Sequence, residues 1–328
     1  MPFLLRSLPL LAALIVTQPA AGGLLDDVCG PGAPCDWSDW SDWSDRCDGC
    51  LRQSGDLFGP NSRGTLFLWP GNSPGDGGPD LDAPLVTDRP DFTEASTPVG
   101  RGVSQLEFGY TFVRNDDAGP AVRTHSIGEP LLRAGVLADW LELRIGWNYA
   151  AEDSGGDRVD GAEDLYLGFK IGLTPQDGWL PETAIIPQMT VPTGADGFSG
   201  ERTLPGVNLI YGWEINDRLS TAGSTQVNGG NTPFLSFDIQ RPVRNDRFVE
   251  VAQSWTVAYA WTDRMSTYTE YFGLYPTGTD RETSVHFLNG GVAYLISDDV
   301  QFDVRYGQGL NDAADDFFVG TGLSIRFR

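Results

Sequence analysis

The strongest constraint in this sequence is a two-residue alternation of apolar and polar side chains that restarts repeatedly from Val103 to the C-terminus. Successive side chains of a β-strand point to opposite faces, so each run reports a strand with one apolar and one polar side. In the first run Leu106, Phe108, Tyr110 and Phe112 share a face, opposed by Gln105, Glu107, Gly109 and Thr111. Leu141, Leu143, Ile145, Trp147 and Tyr149 oppose Glu142, Arg144, Gly146 and Asn148. Leu165, Leu167, Phe169, Ile171 and Leu173 oppose Asp164, Tyr166, Gly168, Lys170 and Gly172. Clear runs also cover 207–215, 249–261, 300–306 and 319–327, and weaker ones 122–137, 183–191, 219–227, 265–275 and 284–296. Pro130 and Pro187 fall inside two of the weaker runs, where a missing N–H implies a bulge or a displaced boundary. The 41 glycines suit tight turns better than long helices.

The runs number twelve, and their connections alternate in length. Short turns at 138–139, 216–217, 262–264 and 297–299 take turns with longer loops at 115–121, 151–162, 193–203, 228–247, 276–283 and 308–316. Only 175–182 is longer than its place requires. Even strand number with short turns at one end and long loops at the other is the pattern of outer-membrane barrels, which puts both termini on the periplasmic side. Aromatic residues fall at run ends, with Trp213, Trp261, Tyr294 and Phe327 at one end and Phe112, Trp147, Tyr149, Tyr275 and Tyr306 at the other, as two interfacial girdles would require. The expected fold is therefore all-β, an antiparallel transmembrane β-barrel of about 12 strands in contact with outer-membrane lipid. Its polar face then surrounds a wet lumen. Glu107, Glu142, Arg144, Lys170, Glu214, Asp303 and Arg305 are the charges expected there, forming either a salt-bridge ladder or a solute-selecting constriction, alongside Asp164, Glu250 and Arg326.

Residues 1–22 have a basic residue, a short apolar run and a small-residue exit, which read as a secretory signal. Residues 23–54 carry all four cysteines, Cys29, Cys35, Cys47 and Cys50, around an Asp-Trp-Ser repeat. In an oxidising compartment they read first as two local disulfides stapling a module with no core of its own, so the leader is expected to be either disordered or disulfide-stapled, with a four-thiolate metal knot as the minor alternative. Residues 55–84, dense in Gly and Pro, read as a flexible or semi-extended tether, leaving 85–328 for the barrel. The final run, Leu323, Ile325 and Phe327, has the form of the terminal signal read by the barrel-assembly machinery, although Arg328 follows it.

A formal charge of −23 repels a phosphate backbone, which excludes nucleic acid as a partner. With two histidines, His125 and His286, and cysteines only in the leader, no metal site or cofactor is expected in the body. Ser284 and His286 share a strand face two residues apart, the spacing of the pair in outer-membrane phospholipase A in reversed order. Asn289 has the wrong parity to orient that imidazole, and no Gly-x-Ser-x-Gly elbow occurs, so the chain is expected not to be an enzyme and a hydrolase stays a remote alternative. A nearer alternative makes the barrel an anchor for the acidic Cys/Trp module.

The stretch Leu85-Val-Thr-Asp-Arg-Pro-Asp-Phe-Thr-Glu-Ala-Ser96, followed by Gly102-Val-Ser-Gln-Leu-Glu-Phe-Gly-Tyr110, resembles the start of the family named for the meta-pathway of phenol degradation. The resemblance extends to Phe327 and implies an outer-membrane barrel for passive or facilitated passage of a small solute, aromatic or hydrophobic, with no catalytic residues to carry over. Within it, Thr87, Asp88, Arg89, Pro90 and Asp91 read either as a latch reaching the lumen, with Arg89 on an inward carboxylate, or as a solvated turn fixed by Pro90.

Overall fold

The computed structural model describes residues 64–73, 75–116, 121–231, 247–278 and 283–328. Residues 1–63, where the expected secretory signal, cysteine module and first part of the tether fall, lie outside the described residues. The strands are β1 (Ser104–Asn115), β2 (Val122–Gly135), β3 (Leu141–Gly146), β4 (Tyr149–Ser154), β5 (Asp157–Ala162), β6 (Leu165–Thr174) and β7 (Glu182–Val191). They continue with β8 (Leu204–Asn216), β9 (Leu219–Asn231), β10 (Arg247–Thr262), β11 (Met265–Thr277), β12 (Val285–Ser297), β13 (Val300–Gly309) and β14 (Phe317–Phe327). All but β4 and β5 form a closed antiparallel barrel of 12 strands, with β1 paired to β14 from Ser104↔Phe327 to Arg114↔Phe317. Closure leaves no strand edge, which is what a sheet in hydrocarbon requires.

The faces sort as an inside-out protein. Trp147, Phe169, Trp261, Leu288, Tyr294, Phe302, Tyr306 and Phe327 are exposed on the outer wall. The largest fully buried side chains include Arg133, Arg144, Lys170, Glu107, Glu142, Glu270 and Asp303. An apolar exterior around a charged interior is stable only where the surrounding solvent is lipid.

Two features depart from the simple alternation. The run from Leu141 does not continue to Tyr149: β3 stops at Gly146, and Tyr149 opens a hairpin, β4–β5, that extends into what the sequence presents as a polar loop. Gly155 and Gly156, at φ 60° and 100°, make its two-residue turn. The hairpin adds to β2, whose first half pairs with β4 and whose second half pairs with β3. The other feature is a bulge in β2 beside Pro130, where Gly128 and Glu129 both have positive φ and the β1–β2 register shifts between Glu107 and Gly109. The extra residue reverses parity, so Ile127 faces out while Glu129 and Arg133 face in. At Pro187 the register is kept, but the β6–β7 pairing passes from Gly168↔Gln188 directly to Ile171↔Ile185.

The described part of the tether is fastened to the barrel rather than free. Leu66 N–H donates to Gly172 O at 2.9 Å and Phe67 N–H to Leu173 O at 2.7 Å. Arg326 Nη2 donates to Ala83 O at 2.8 Å, and Leu85 N–H to Asp298 O at 2.8 Å. From there the chain turns into the barrel.

Candidate functional site

The wall of the lumen carries an arrangement that is unfavourable by itself. Arg133 on β2 and Arg144 on β3 stand directly opposite each other, and Lys170 on β6 lies in the neighbouring row, opposite Glu142. Facing like charges repel, and inside a packed interior the repulsion is poorly screened. Glu142 relieves part of it, accepting from Arg133 Nε at 2.8 Å and Arg144 Nη1 at 3.0 Å. Glu107 takes Arg133 Nη1 at 3.1 Å.

The remaining counter-charge comes from outside the sheet. Asp88 lies among all three cations, with Lys170 Nζ at 2.7 Å, Arg133 Nε at 3.3 Å and Arg144 Nη1 in a short contact. Its own N–H donates to Glu107 Oε1 at 3.1 Å, and its Oδ1 accepts from Ala95 N–H at 2.9 Å. Glu94 adds a second contact to Arg144 and accepts from Asn208 Nδ2 at 2.7 Å.

The rest of the segment is held as closely. Arg89 Nη1 reaches Glu129 Oε2 at 2.7 Å and Nε reaches Asp303 Oδ2 at 3.4 Å. Pro90 O accepts from Arg305 Nη1 at 3.0 Å, and Thr87 Oγ1 accepts from Gln301 Nε2 at 2.8 Å. Glu270 takes the N–H groups of Phe92 and Thr93, each at 2.7 Å, together with Thr93 Oγ1 at 2.6 Å and Asn289 Nδ2 at 2.8 Å. Thr97 Oγ1 donates to Glu182 at 2.6 Å and Val99 N–H to Glu142 at 2.9 Å. Two cavities border the segment. One, of about 360 Å³, is lined by Asp88, Arg89, Phe92, Glu129, Tyr166 and Arg305. The other, of about 670 Å³ toward the short-turn end, is lined by Asp91, Glu94, Glu182, Trp213 and Glu214.

Of the lumen residues singled out from the sequence, Glu107, Glu142, Arg144 and Lys170 converge on Asp88, and Asp303 and Arg305 reach Arg89 and Pro90. Glu214 stands apart, exposed at the end of β8, where its backbone pairs with the Gln176 side chain. The sequence reading did not single out Arg133, Glu129, Glu94 or Glu270. Arg133 and Glu129 are hidden by the β2 bulge, Glu94 has no strand to give it a parity, and Glu270 sits at an inward position of a weak run.

On the outer wall, Ser284 Oγ lies 3.0 Å from His286 Nε2, and His286 Nδ1 lies 2.7 Å from the Tyr271 hydroxyl rather than from a carboxylate. Asn289 faces the lumen, bonded to Glu270. Among the described residues, no group of three His, Cys, Asp or Glu side chains is placed to hold a metal.

A closed barrel of 12 strands with an apolar exterior and a charged, segment-filled interior is an outer-membrane β-barrel. The family model described as "Putative MetA-pathway of phenol degradation" matches residues 87–327, and the chain belongs to that family. Among solved structures, it is similar to an outer membrane channel from Pseudomonas putida F1 at 13% identity and a TM-score of 0.54, covering 73% of this chain and 99% of that one. It is also matched by the beta domain of the Bordetella autotransporter Brka at 11% identity, covering 69% of this chain and 99% of that one, with a TM-score of 0.45. The NanC porin matches at 9% identity, covering 68% of this chain and 98% of that one, with a TM-score of 0.42. No curated protein matches the sequence.

Proposed function

We propose that this chain is an outer-membrane channel for passive or facilitated passage of small aromatic or hydrophobic solutes, and that residues 85–100 are a plug whose displacement opens it. The observation that carries the reading is the facing pair Arg133 and Arg144, whose charge is balanced from within the lumen by Asp88 of a segment outside the sheet. A counter-ion on a separate segment can leave, whereas one on the wall cannot. The channel-like barrel and the family membership support passage as the purpose of the lumen. Thr87, Asp88, Arg89, Pro90 and Asp91 are then the latch, and Glu107, Glu142, Arg144, Lys170, Asp303 and Arg305 its seat. Insertion relies on the terminal run Leu323, Ile325 and Phe327 as the sign read by the barrel-assembly machinery. We assign Ser284 and His286 to the barrel wall, because a phenol hydroxyl orients an imidazole less strongly than a carboxylate does.

The test is planar-bilayer conductance of the refolded full chain against the double variant Asp88→Asn, Arg89→Gln. The wild type should pass little current and the variant several-fold more. A variant as silent as the wild type across salts and aromatic solutes would shift the weight to the barrel as an anchor for the acidic leader.

A further inference from the structure

We infer that the lumen contains a stacking slot for a planar aromatic solute, built by Phe272, Phe287 and Phe318, and that Phe92 of the plug occupies it as the solute's stand-in. The inference rests on the channel-and-plug reading and identifies what competes with the plug. The Phe92 ring lies 4.6 Å from that of Phe272 at an interplanar angle of 6°, a parallel stack. Phe287 continues the stack at 4.9 Å and 20° from Phe272, and Phe318 closes the side, with its centroid 5.9 Å from Phe287 at 60°. Phe272 and Phe287 are buried, as is Ala314, which folds in from the β13–β14 loop. Three of the four rings belong to barrel strands and are fixed. The fourth belongs to the segment that must leave.

Two further observations favour a ligand site over plain core packing. Phe318 lies flat across Gly307, where any side chain would collide with the ring, so the strand beneath is cleared for it. The slot also has a polar edge. The guanidinium of Arg305 sits 5.6 Å from the Phe318 ring, and its Nε is buried with no hydrogen-bond partner. An unmet buried donor costs stability unless something supplies an acceptor, which a hydroxyl or carbonyl substituent on the solute would do. The ligand class is thus a single aromatic ring carrying an oxygen substituent. When it enters, it takes the place of Phe92 on Phe272, and the anchor that Phe92 gives the plug is lost in the same event.

The experiment is calorimetric titration of the refolded full chain in lipid nanodiscs, with empty nanodiscs subtracted, using benzyl alcohol and its saturated counterpart cyclohexylmethanol. Phe92→Ala empties the slot and should bind benzyl alcohol on the order of tenfold more tightly than the wild type, the scale of one aromatic pair. Phe92→Leu, which keeps apolar bulk without a stacking face, should also gain, by less. Phe272→Ala should lose the binding, and cyclohexylmethanol should show no such gain with either Phe92 variant. Unchanged or weaker benzyl alcohol binding by Phe92→Ala, or an equal gain for cyclohexylmethanol, would overturn the slot. Binding is read without current, so the outcomes separate: a barrel that conducts on plug disruption without the Phe92 effect keeps the channel and loses the slot. A silent barrel that shows the effect does the reverse.

Discussion

Gly109 and Gly322 face each other across the β1–β14 closure, and the guanidinium of Arg89 fills the space their missing side chains leave. A Cβ on either residue would collide with that guanidinium. The paired glycines therefore make room for the plug, and at Gly109 a Cβ would also meet the backbone oxygen of Thr321. Gly322→Ala should leave the barrel folded, expel Arg89 from Glu129 and Asp303, and raise single-channel conductance above wild type. Heat-shifted gel migration checks the fold and bilayer recording checks the current; an unchanged current would separate Arg89 from gating.

Asp88 supports a sharper prediction because it meets all three buried cations, whereas Glu107 reaches Arg133, Glu142 reaches Arg133 and Arg144, and Glu94 reaches Arg144. Breaking a buried pair on one side costs on the order of 3–5 kcal/mol because the partner stays buried and unpaired. Asp88→Asn should approach that loss in urea unfolding from liposomes. The double variant Asp88→Asn, Lys170→Met removes a cation with the carboxylate and should recover a large part of the loss. Additive losses would mean that Asp88 and Lys170 do not act as a pair.

Glu270 holds the plug by its backbone, accepting from the N–H groups of Phe92 and Thr93. Hydrogen bonds to a charged acceptor contribute roughly 1.5–3 kcal/mol each. Glu270→Gln keeps the shape and loses the charge, so amide exchange should accelerate by more than tenfold at residues 92 and 93 while the β11 amides stay protected. Equal acceleration across β11 would point to a loosened strand instead.

What could be read from the sequence follows from how directly each feature depends on parity. The apolar face from Leu106 to Phe112 and the row Leu141 to Ile145 needed only period two, and all twelve barrel strands carried that signal. The β4–β5 hairpin did not, because Asp157 to Asp160 is exposed throughout and has no apolar face to alternate. Its one local sign was the Gly155-Gly156 pair between Ser154 and Asp157. Arg133 was lost for a different reason: the bulge at Gly128 and Glu129 reverses parity midway along β2, which shows only when the partner strand is in view. The site depends on pairings that parity does not encode. Asp88 meets Lys170 across 82 residues, and alternation says which wall a side chain faces, not which segment fills the space before it.

Asp299 lies in the turn between β12 and β13, outside the spanning strands, and its carboxyl is held below the usual aspartate value. The hydrogen bond from Arg326 Nε, at 2.7 Å, is the chief cause, and slight burial opposes it. Arg328, the residue after the terminal aromatic, adds contacts from Nε at 3.0 Å and Nη2 at 2.8 Å. A carboxyl with a depressed folded value contributes stability that is complete above its unfolded value, about pH 4, and disappears as acid titrates the folded form. Asp299→Asn should therefore melt below wild type at about pH 6, and the two curves should meet once the pH falls beneath the folded value. Arg328→Ala should move the Asp299 carboxyl resonance midpoint back toward the ordinary aspartate range in an NMR titration. A wild-type midpoint already at the ordinary value would mean that the C-terminal arginines contact Asp299 without holding its charge, and that the terminal strand is fastened instead through the backbone oxygens of Ala83 and Asp298 that Arg326 also reaches.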